Sequence, residues 1–353
     1  MLRQSRKLAH LKLAQTLDDG PCRTGFQDVR LLHNCLPGIG MSNISLQTAV
    51  AGIALAHPII INAVTGGAGD VAETNRALAK VAKATQSAMA VGSQYASLED
   101  KHVRNTFSLV REEYPDGVLF ANLGAHVSPE QAKEAVDMIS AQALQIHLNV
   151  GQELVMREGD REFGGYLDRI AAIAEVLPVP VIVKETGCGM AAEQLRQLAV
   201  AGVAAIDVGG AGGTNFLAIE AARSSRTLPE ELMAWGMPTA ISLIEAQNVL
   251  STTVSVIASG GVRSAADMAK SLALGARAVA VAGPVVRALA SSDEEAIAWI
   301  NERLQDLRCL MILCGACAPQ ELSNKPLVIL GETGEWLRAR GVYPEERSRI
   351  RDL

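Results

Sequence analysis

Four polar side chains lie close together in one segment of the chain: His147, Asn149, Gln152 and Glu153. His147 and Asn149 are two residues apart, so on a strand they share one face. Glu153 can bind a hard cation, because a single carboxylate together with substrate phosphates suits Mg²⁺. Gln152 is a neutral amide that can orient a substrate or a water. The alternative for His147 is a buried core histidine whose hydrogen bonds are satisfied.

Lys184 is a second candidate, because it ends the apolar run VIVKE. A lysine at the end of a strand in an α/β protein faces the region where active sites form. Its ammonium group could pair with an anionic or reduced cofactor, or its amine could form a Schiff base. The structural alternative is an ion pair with Glu185 or Glu153.

Glycine clusters follow three later apolar runs, at residues 209–213, at residues 260–261 and at Gly283. Glycine lets backbone N–H groups approach a phosphate closely, and the start of a helix adds a positive dipole end. Thr214 and Arg263 lie beside these clusters, which indicates a bound phosphate. Glycines that only form tight turns are the alternative.

Arg6, Lys7 and His10 form a basic group near the amino terminus. At helical spacing Arg6 and His10 share a face, with Lys7 alongside. Such a group is usually a solvated surface. Its functional interpretation is a cationic arm that closes on a diphosphate.

Eight short apolar runs that end in Gly, Asn, Ser, Ala or Glu supply the elements that must position these residues. The runs are Pro58–Ala63, Ser87–Ser93, Val118–Gly124, Ala143–Asn149, Val179–Glu185, Ala204–Gly210, Val254–Gly261 and Arg277–Gly283. Continuous apolar runs of this length are typical of strands buried on both faces of a parallel sheet.

Helical patterns alternate with these runs, at Asp70–Thr85, Ser128–Ala141, Tyr166–Val176, Ala191–Ala201 and Ala265–Leu274. Eight successive β-α units predict an α/β fold of the (β/α)8 TIM-barrel type, with an open doubly wound sheet as the alternative. We expect residues 1–57 to form an arm and a pre-barrel segment. Residues 58–353 should form one catalytic barrel, whose tail begins at Asp293 with a long helix and ends in a polar segment.

Composition excludes several classes of protein. Of the 353 residues, 49% are apolar and 20% are charged, which excludes a disordered chain. The net charge of −6 disfavours a nucleic-acid partner. The amino terminus has no continuous apolar stretch of signal-peptide length, and the apolar window Ala273–Ala290 is interrupted by Arg277 and Arg287. We therefore expect no membrane partner and a cytoplasmic location.

The six cysteines are too few for a disulfide scaffold in a chain of this length. Cys314 and Cys317 form a single CxxC pair, and no further ligands at zinc-site spacing accompany it. We predict that both are reduced thiols.

The motifs together resemble the type 2 isopentenyl-diphosphate Δ-isomerase family, the flavin-dependent isomerases. The resemblance runs from about residue 3 to residue 340. The motifs that carry it are RKLAH (Arg6–His10), INAVTGG (Ile61–Gly67), VGSQ (Val91–Gln94), ANLG (Ala121–Gly124), QIHLNVGQE (Gln145–Glu153), VIVKETGCGM (Val181–Met190), DVGGAGGTNF (Asp207–Phe216) and ASGGVR (Ala258–Arg263).

This resemblance implies an enzyme that interconverts isopentenyl diphosphate and dimethylallyl diphosphate and so supplies isoprenoid precursors. It implies FMN that is active when reduced, NADPH as reductant, Mg²⁺, and a homotetramer. The residues implied to hold FMN are Ala63, Val64, Thr65, Ser93, Asn122, Lys184, Thr214, Gly260, Gly261, Arg263, Ala282 and Gly283. Those implied to face the substrate are Arg6, Lys7, His10, Ser93, Gln94, His147, Asn149 and Gln152, and Glu153 would bind Mg²⁺.

Within this set, Gln152, His147, Asn149 and Lys184 are the expected catalytic residues. Adding a proton to an alkene develops positive charge, which an electron-rich reduced flavin could stabilise while its N5 shuttles a proton. The hypothesis for Gln152 is that it positions or relays the second proton. Two departures from the family are Tyr95, where some relatives carry a basic residue, and Cys188, where an aromatic residue is common.

Two other functions compete with this interpretation. An FMN oxidoreductase would use the same barrel for hydride transfer, but the strand ends supply no convincing His/Arg pair or catalytic cysteine for it. A non-catalytic module that binds flavin or phosphate would be expected to lose Glu153 or Lys184, and both are present.

Overall fold

The structure is a computed structural model that describes residues 12–13, 16–17, 19–67, 71–343 and 345. Arg6, Lys7 and His10, predicted to contact the substrate, lie outside these described residues.

The described residues form twelve strands, numbered here in chain order. They are β1 (Val29–Leu31), β2 (Thr48–Val50), β3 (Ile53–Leu55), β4 (Ile59–Ile61), β5 (Ala88–Ala90), β6 (Leu119–Gly124), β7 (Ala143–Leu148), β8 (Val181–Glu185), β9 (Ala205–Asp207), β10 (Ser255–Ala258), β11 (Ala278–Val281) and β12 (Leu327–Ile329).

Fourteen α-helices accompany these strands in the same part of the chain. They are α1 (Ala72–Thr85), α2 (Tyr95–Glu99), α3 (Asn105–Glu113), α4 (Pro129–Met138), α5 (Val150–Val155), α6 (Tyr166–Val176), α7 (Ala192–Val200), α8 (Phe216–Ser224), α9 (Glu230–Met233), α10 (Thr239–Val249), α11 (Ala265–Ala273), α12 (Gly283–Leu289), α13 (Asp293–Cys314) and α14 (Gly331–Ala339).

Strands β4 to β11 pair in parallel in chain order, and β11 returns to pair with β4. This last pairing, which places Val279 opposite Ile59, closes the sheet. The predicted (β/α)8 barrel is therefore confirmed, and the open doubly wound alternative is wrong. All eight apolar runs supply one barrel strand each, because both faces of every strand are covered and an apolar run loses water contact on both sides.

The predicted helices are observed within three residues of their expected ends, and Asp70 lies outside the described residues. Helix α4 begins as the sequence predicts, since Ser128 caps it through a reciprocal pair of hydrogen bonds with Gln131 and Pro129 occupies the first turn. Gly202 and Gly275, which follow α7 and α11, have the positive φ angles of C-terminal capping glycines.

The amino-terminal end of the barrel is covered by the hairpin β2–β3. Val50 and Leu55 of this hairpin join the apolar core inside the barrel, where they pack with residues such as Ile60, Phe120 and Ile182. Burying each such side chain contributes roughly 1.5–3 kcal/mol. The carboxyl-terminal end is therefore the open end of the barrel.

The segments before and after the barrel pair with each other, since β1 and β12 form an antiparallel ladder from Val29↔Ile329 to Leu31↔Leu327. The long helix predicted at Asp293 is α13. The tail is more structured than predicted, because β12 and α14 follow α13. The division into residues 1–57 and 58–353 stays a prediction. None of the helices in the described ranges combines the length and apolar character needed to cross a bilayer.

Candidate functional site

A cavity opens at the carboxyl-terminal ends of the barrel strands. It encloses about 940 Å³ when the open space at its mouth is included. Nine of the twelve residues expected to hold FMN line it: Ala63, Val64, Lys184, Thr214, Gly260, Gly261, Arg263, Ala282 and Gly283. The sequence motifs from five different strand ends therefore meet at one place.

Glycines allow the loops of the cavity to approach one another closely. A Cβ atom on Gly260 would lie 1.9 Å from the backbone oxygen of Gly210, and one on Gly213 would lie 2.5 Å from the nitrogen of Gly261. Gly260 and Gly261 also have φ angles of 98° and 80°, which disfavour L-residues with side chains. These positions need glycine for backbone packing, as the tight-turn interpretation requires, and phosphate binding by the glycine clusters stays a prediction.

Cationic groups lie on two sides of this cavity. The Nζ atom of Lys184 donates to the backbone oxygen of Glu185 at 2.9 Å, so neither predicted carboxylate partner is the one it bonds. Arg263 donates from Nη1 to the oxygen of Gly261 at 2.7 Å and from Nη2 to the oxygen of Gly212 at 2.6 Å. Asp19 also lines the cavity and pairs with Arg263 through Nη2 at 2.7 Å.

Beneath the cavity a layer of buried polar side chains crosses the barrel interior. Asn62 donates to Asp207 Oδ2 at 2.9 Å, and Gln145 donates to Asn62 Oδ1 at 3.3 Å. Asn122 donates to Gln145 Oε1 at 3.1 Å, and its own Oδ1 lies 2.8 Å from His147 Nδ1. The layer therefore links Asp207 to His147 by successive hydrogen bonds.

Asp207 is the charged member of this layer. Its carboxylate accepts hydrogen bonds from Asn62, from the Ser259 hydroxyl and from the backbone of Gly209. Burial raises the pKa of Asp207, while the ammonium of Lys184 and the hydrogen bonds from Ser259 and Asn62 act in the opposite direction. Strand register places Lys184 between His147 and Asp207 in one row.

The polar cluster after β7 is held by a second network. Asn149 Nδ2 donates to Glu153 Oε1 at 2.8 Å and to Gln152 Oε1 at 3.3 Å. Gln152 Nε2 donates to Glu220 Oε1 at 2.9 Å. Glu220 is fully buried and also accepts from Arg223 Nε at 2.7 Å. The amide of Gln152 is thus held in one orientation from both ends.

Eight predicted residues of the described part of the chain do not line this cavity: His147, Asn149, Gln152 and Glu153 of the cluster after β7, and Thr65, Ser93, Gln94 and Asn122. Thr65 is buried, and its hydroxyl has no hydrogen-bond partner among the residues that the structure describes. Ser93 is half-buried, and Asn122 belongs to the buried layer. Gln94 is fully buried, where its amide bonds the backbone of Asn122 and of Ala135. Its contact with a substrate stays a prediction, and its observed contacts position Asn122.

The two departures from the family pattern have defined environments. Tyr95 packs edge-on against His126, with ring centroids 4.6 Å apart. Burial raises the pKa of the Cys188 thiol to about 12, and the negative charge of Glu185 acts in the same direction. Cys188 is therefore a protonated thiol at neutral pH.

The Glu185 carboxylate holds the backbone of the loop that carries Cys188. Its Oε2 accepts hydrogen bonds from the backbone nitrogens of Gly187, Cys188 and Gly189. Burial raises the pKa of Glu185 to about 7, although these three hydrogen bonds and Lys184 favour its ionised form.

Sequence reasoning missed three acidic residues of the site: Asp19, Asp207 and Glu220. Asp207 begins the glycine motif DVGGAGGTNF, and a charged residue at the end of an apolar strand is itself a signal. Glu220 interrupts the apolar stretch FLAIEAA, which was the available signal for a buried carboxylate. Nothing in the sequence pointed to Asp19, whose partners Arg263 and Arg287 are more than 240 residues away.

The cysteines show no sign of a metal centre. All six are free, and no group of three or more His, Cys, Asp or Glu residues within the described ranges could hold a metal ion. The predicted reduced state of Cys314 and Cys317 agrees with this finding.

Comparison with known proteins places the fold among flavin enzymes. The profile of the FMN-dependent dehydrogenase family matches residues 123–329. A lactate oxidase structure from Pediococcus acidilactici has a TM-score of 0.66 and 20% identity, with 91% of this chain and 87% of that chain covered. A mandelate oxidase structure with (S)-2-phenylpropionate also has a TM-score of 0.66, at 17% identity, with coverages of 92% and 97%. At these identities the likeness concerns the fold alone.

Sequence relatives are much more similar. The isopentenyl-diphosphate delta-isomerase of Symbiobacterium thermophilum is 46% identical over 351 residues, covering 97% of this chain and 96% of the relative. The protein of the same name from Bacillus cereus strain AH820 is 46% identical over 352 residues, with coverages of 99% and 100%.

Proposed function

The chain belongs to the FMN-dependent dehydrogenase family and to the isopentenyl-diphosphate delta-isomerases within it, and from this membership we propose its reaction. It interconverts isopentenyl diphosphate and dimethylallyl diphosphate, with FMN held in the cavity at the open end of the barrel. The observation that carries this proposal is the meeting of the FMN motifs with the His147–Glu153 cluster at one barrel end.

The residues of the cavity fit FMN. The glycine loops leave no room for Cβ atoms at Gly213, Gly260 and Gly261, so backbone nitrogens can approach a phosphate. The buried hydroxyl of Thr65 bonds to none of the described residues, and a buried hydroxyl without a partner costs about 1–3 kcal/mol unless a ligand supplies one. Lys184 offers a cation to an electron-rich ring.

Bound in its reduced form, FMN would supply an electron-rich ring and a proton-carrying N5 for chemistry on an alkene. Lys184 holds a positive charge at the cavity wall, where Asp207 lies next to it in strand register. These two residues would place fixed charges in the site before the substrate binds. Charges that are positioned in advance lower the free-energy cost of the charge that develops in the transition state.

The His147–Glu153 cluster would hold the substrate beside the flavin. His147 is oriented by Asn122, and Asn149 bridges Gln152 and Glu153. We assign Gln152 the positioning or relay of the second proton, because its amide is fixed by Glu220 and Asn149. Binding of the diphosphate supplies energy for orientation at the reacting carbons.

Glu153 is the proposed ligand of Mg²⁺. Its two oxygens accept hydrogen bonds from Asn149 at 2.8 Å and from the backbone of Asp160 at 3.0 Å. A single oriented carboxylate suits Mg²⁺ that is bound mainly through substrate phosphates and waters. The donor set therefore fits a metal that arrives with the diphosphate.

The remaining features of the proposal come from the family resemblance. Arg6, Lys7 and His10 would close on the diphosphate, with Ser93 and Gln94 on the substrate side. NADPH would reduce the flavin, the assembly would be a homotetramer, and the enzyme would act in the cytoplasm on isoprenoid precursors.

An anaerobic assay tests the reaction. The purified protein is supplied with FMN, Mg²⁺ and isopentenyl diphosphate, with and without dithionite or NADPH, and dimethylallyl diphosphate is quantified. We expect product only with reduced flavin and without stoichiometric consumption of NADPH. Oxidation of NADPH with the diphosphate left untouched would favour an oxidoreductase instead.

Two further arms of the assay test individual residues. Omitting Mg²⁺ should raise the KM for the diphosphate, and Glu153→Gln should raise the Mg²⁺ concentration needed for half-maximal rate. Gln152→Ala should lower kcat. Normal turnover by this variant would remove Gln152 from the proton pathway.

A further inference from the structure

The carboxylate of Asp19 lies between two guanidinium groups at the rim of the cavity. Its Oδ2 accepts hydrogen bonds from Arg263 Nε at 3.0 Å and Nη2 at 2.7 Å. Arg287 Nη2 lies 3.4 Å from the same oxygen. The Asp19 side chain is 17% exposed, whereas those of Arg263 and Arg287 are 39% and 36% exposed. The Asp19 carboxylate is thus held by two guanidinium groups, one in the loop after β10 and one on α12.

Arg263 lies in the glycine-containing loop after β10, and Arg287 lies on α12, which begins at Gly283. Arg263 is fixed by the backbone oxygens of Gly261 and Gly212. Arg287 folds back over the start of its own helix, since a Cβ atom on Gly283 would lie 3.2 Å from its Nη1. Gly261, Gly283 and Arg263 line the cavity, and Arg287 lies against its edge beside Gly283.

The charges of these three residues do not balance. Two guanidinium groups carry +2, and the Asp19 carboxylate carries −1 when ionised. A phosphate monoester is close to a dianion at neutral pH and offers three acceptor oxygens, so it matches two guanidinium groups better than one carboxylate does.

The segment that carries Asp19 is itself docked against the same loops. Gly20 donates its backbone N–H to the oxygen of Gly213 at 3.2 Å, and Asn215 Nδ2 donates to the oxygen of Gly20 at 3.0 Å. Asp19 is therefore held near the two arginines by a segment that is hydrogen-bonded to the glycine-rich loop after β9. It directly precedes Gly20 in the part of the chain that leads back to the RKLAH motif.

We infer that Asp19 occupies the anion subsite that takes the cofactor's phosphate, and that Arg287 is a phosphate-binding residue together with Arg263. This inference rests on the proposed FMN function and deepens it. Asp19 competes with the phosphate group for the two arginines. Binding of FMN then displaces the Asp19 carboxylate and releases its side chain from the cavity rim.

Two ligands that differ only in the phosphate provide the test. The dissociation constants of FMN and of riboflavin are measured by flavin fluorescence for the wild-type chain, Asp19→Asn and Arg287→Gln. Asp19→Asn keeps the size of the side chain and removes its charge. We expect it to bind FMN about tenfold more tightly, since an internal competitor is weakened, and to bind riboflavin as the wild type does. Arg287→Gln should bind FMN about tenfold more weakly, again with riboflavin unchanged.

Glu193→Gln is the matched control. It breaks an ion pair of the same 2.7 Å length with Arg340, and neither residue lines the cavity. Both flavins should bind this variant as they bind the wild type.

Three results would overturn the inference. Weaker or unchanged FMN binding by Asp19→Asn would mean that Asp19 orients Arg263 and does not compete with the ligand. Unchanged FMN binding by Arg287→Gln would remove Arg287 from the subsite. Equal shifts for riboflavin and FMN would place the effect away from the phosphate. Failure of the wild-type chain to bind FMN at all would instead refute the proposed function, and with it the inference.

Discussion

Asn62 and Asp207 are joined across the interior of the barrel by a hydrogen bond of 2.9 Å from Nδ2 to Oδ2. Asn62 follows β4 and Asp207 ends β9, two strands that are not neighbours in the sheet. The bond therefore spans the space that apolar side chains fill deeper in the barrel. It forms the floor of the proposed flavin cavity and anchors the polar layer that ends at His147.

Replacing Asp207 by asparagine should destabilise the protein. The new amide has one acceptor oxygen, whereas the carboxylate accepts from Asn62, Ser259 and Gly209 on two oxygens. Because the NH₂ group of the new amide cannot accept a hydrogen bond, one of these donors then faces another donor in a buried site. We expect this to lower the free energy of unfolding by about 3 kcal/mol. Urea unfolding measures this change. Asp306→Asn, at an exposed carboxylate, is the control, and equal stability of the two variants would contradict the prediction.

Glu220→Gln should lower kcat more than it changes KM. Glu220 fixes the Gln152 amide and pairs with Arg223, so loss of its charge lets Gln152 move from its position. Misplacement of a catalytic group by about 1 Å costs roughly 100-fold in rate. Steady-state kinetics of the isomerase reaction measure the effect. The control is Glu158→Gln, which removes the other carboxylate on Arg223 at 2.7 Å without touching Gln152. Equal kcat values for the two variants would show that Glu220 does not act through Gln152.

Gly260→Ala should abolish flavin binding and lower stability. The added Cβ would lie 1.9 Å from the oxygen of Gly210, and the φ angle of 98° is strained for alanine. The strain alone costs about 1–2 kcal/mol. The clash with Gly210 must also displace the glycine-rich loop after β9 or the one after β10. Fluorescence titration with FMN and thermal unfolding measure the two effects. Gly164→Ala is the control, because a Cβ there meets open space. Normal FMN affinity in Gly260→Ala would mean that this loop does not contact the flavin.

The raised pKa of Glu185 predicts how the free energy of unfolding depends on pH. Its pKa is raised from 4.5 to about 7 in the folded protein, mainly by burial. Below pH ~4.5 both states keep the proton, and as the pH rises toward about 7 the unfolded state releases it first. Stability is therefore lost as the pH rises through this window, by roughly 2 kcal/mol.

Glu185→Gln isolates this contribution because it cannot titrate and keeps an acceptor oxygen for the loop nitrogens. The free energy of unfolding of both proteins is measured by urea denaturation at pH 5 and pH 7.5. The wild type should lose more stability between these values than the variant does. Parallel behaviour of the two proteins would mean that Glu185 titrates normally.

The sequence alone allowed the barrel to be predicted because its strands carry a local signal. Runs such as Val118–Gly124 are apolar on both faces, and each ends in the residue type that faces the mouth. The positions expected to hold FMN come from the family resemblance of the motifs at those ends, and they stay a prediction. Partnerships across the barrel carry no such signal, so the bond from Asn62 to Asp207 and the ion pair of Asp19 with Arg263 depend on the closed three-dimensional arrangement. The hairpin β2–β3 lacks the local signal as well, since each of its strands has only one buried residue.

The antiparallel pair of β1 with β12 has a consequence for synthesis of the protein. Val29 leaves the ribosome long before its partner Ile329 exists, and at common elongation rates the interval is roughly 15–60 s. Throughout that time β1 has unpaired backbone groups and the segment before the barrel lacks its attachment to β12. The segment that presents Asp19 lies directly before β1, so this attachment forms only when nearly the whole chain has been translated, whereas the bonds of Gly20 to Gly213 and Asn215 can form earlier. A nascent chain stalled before Leu327 would therefore contain all eight barrel strands without this anchor.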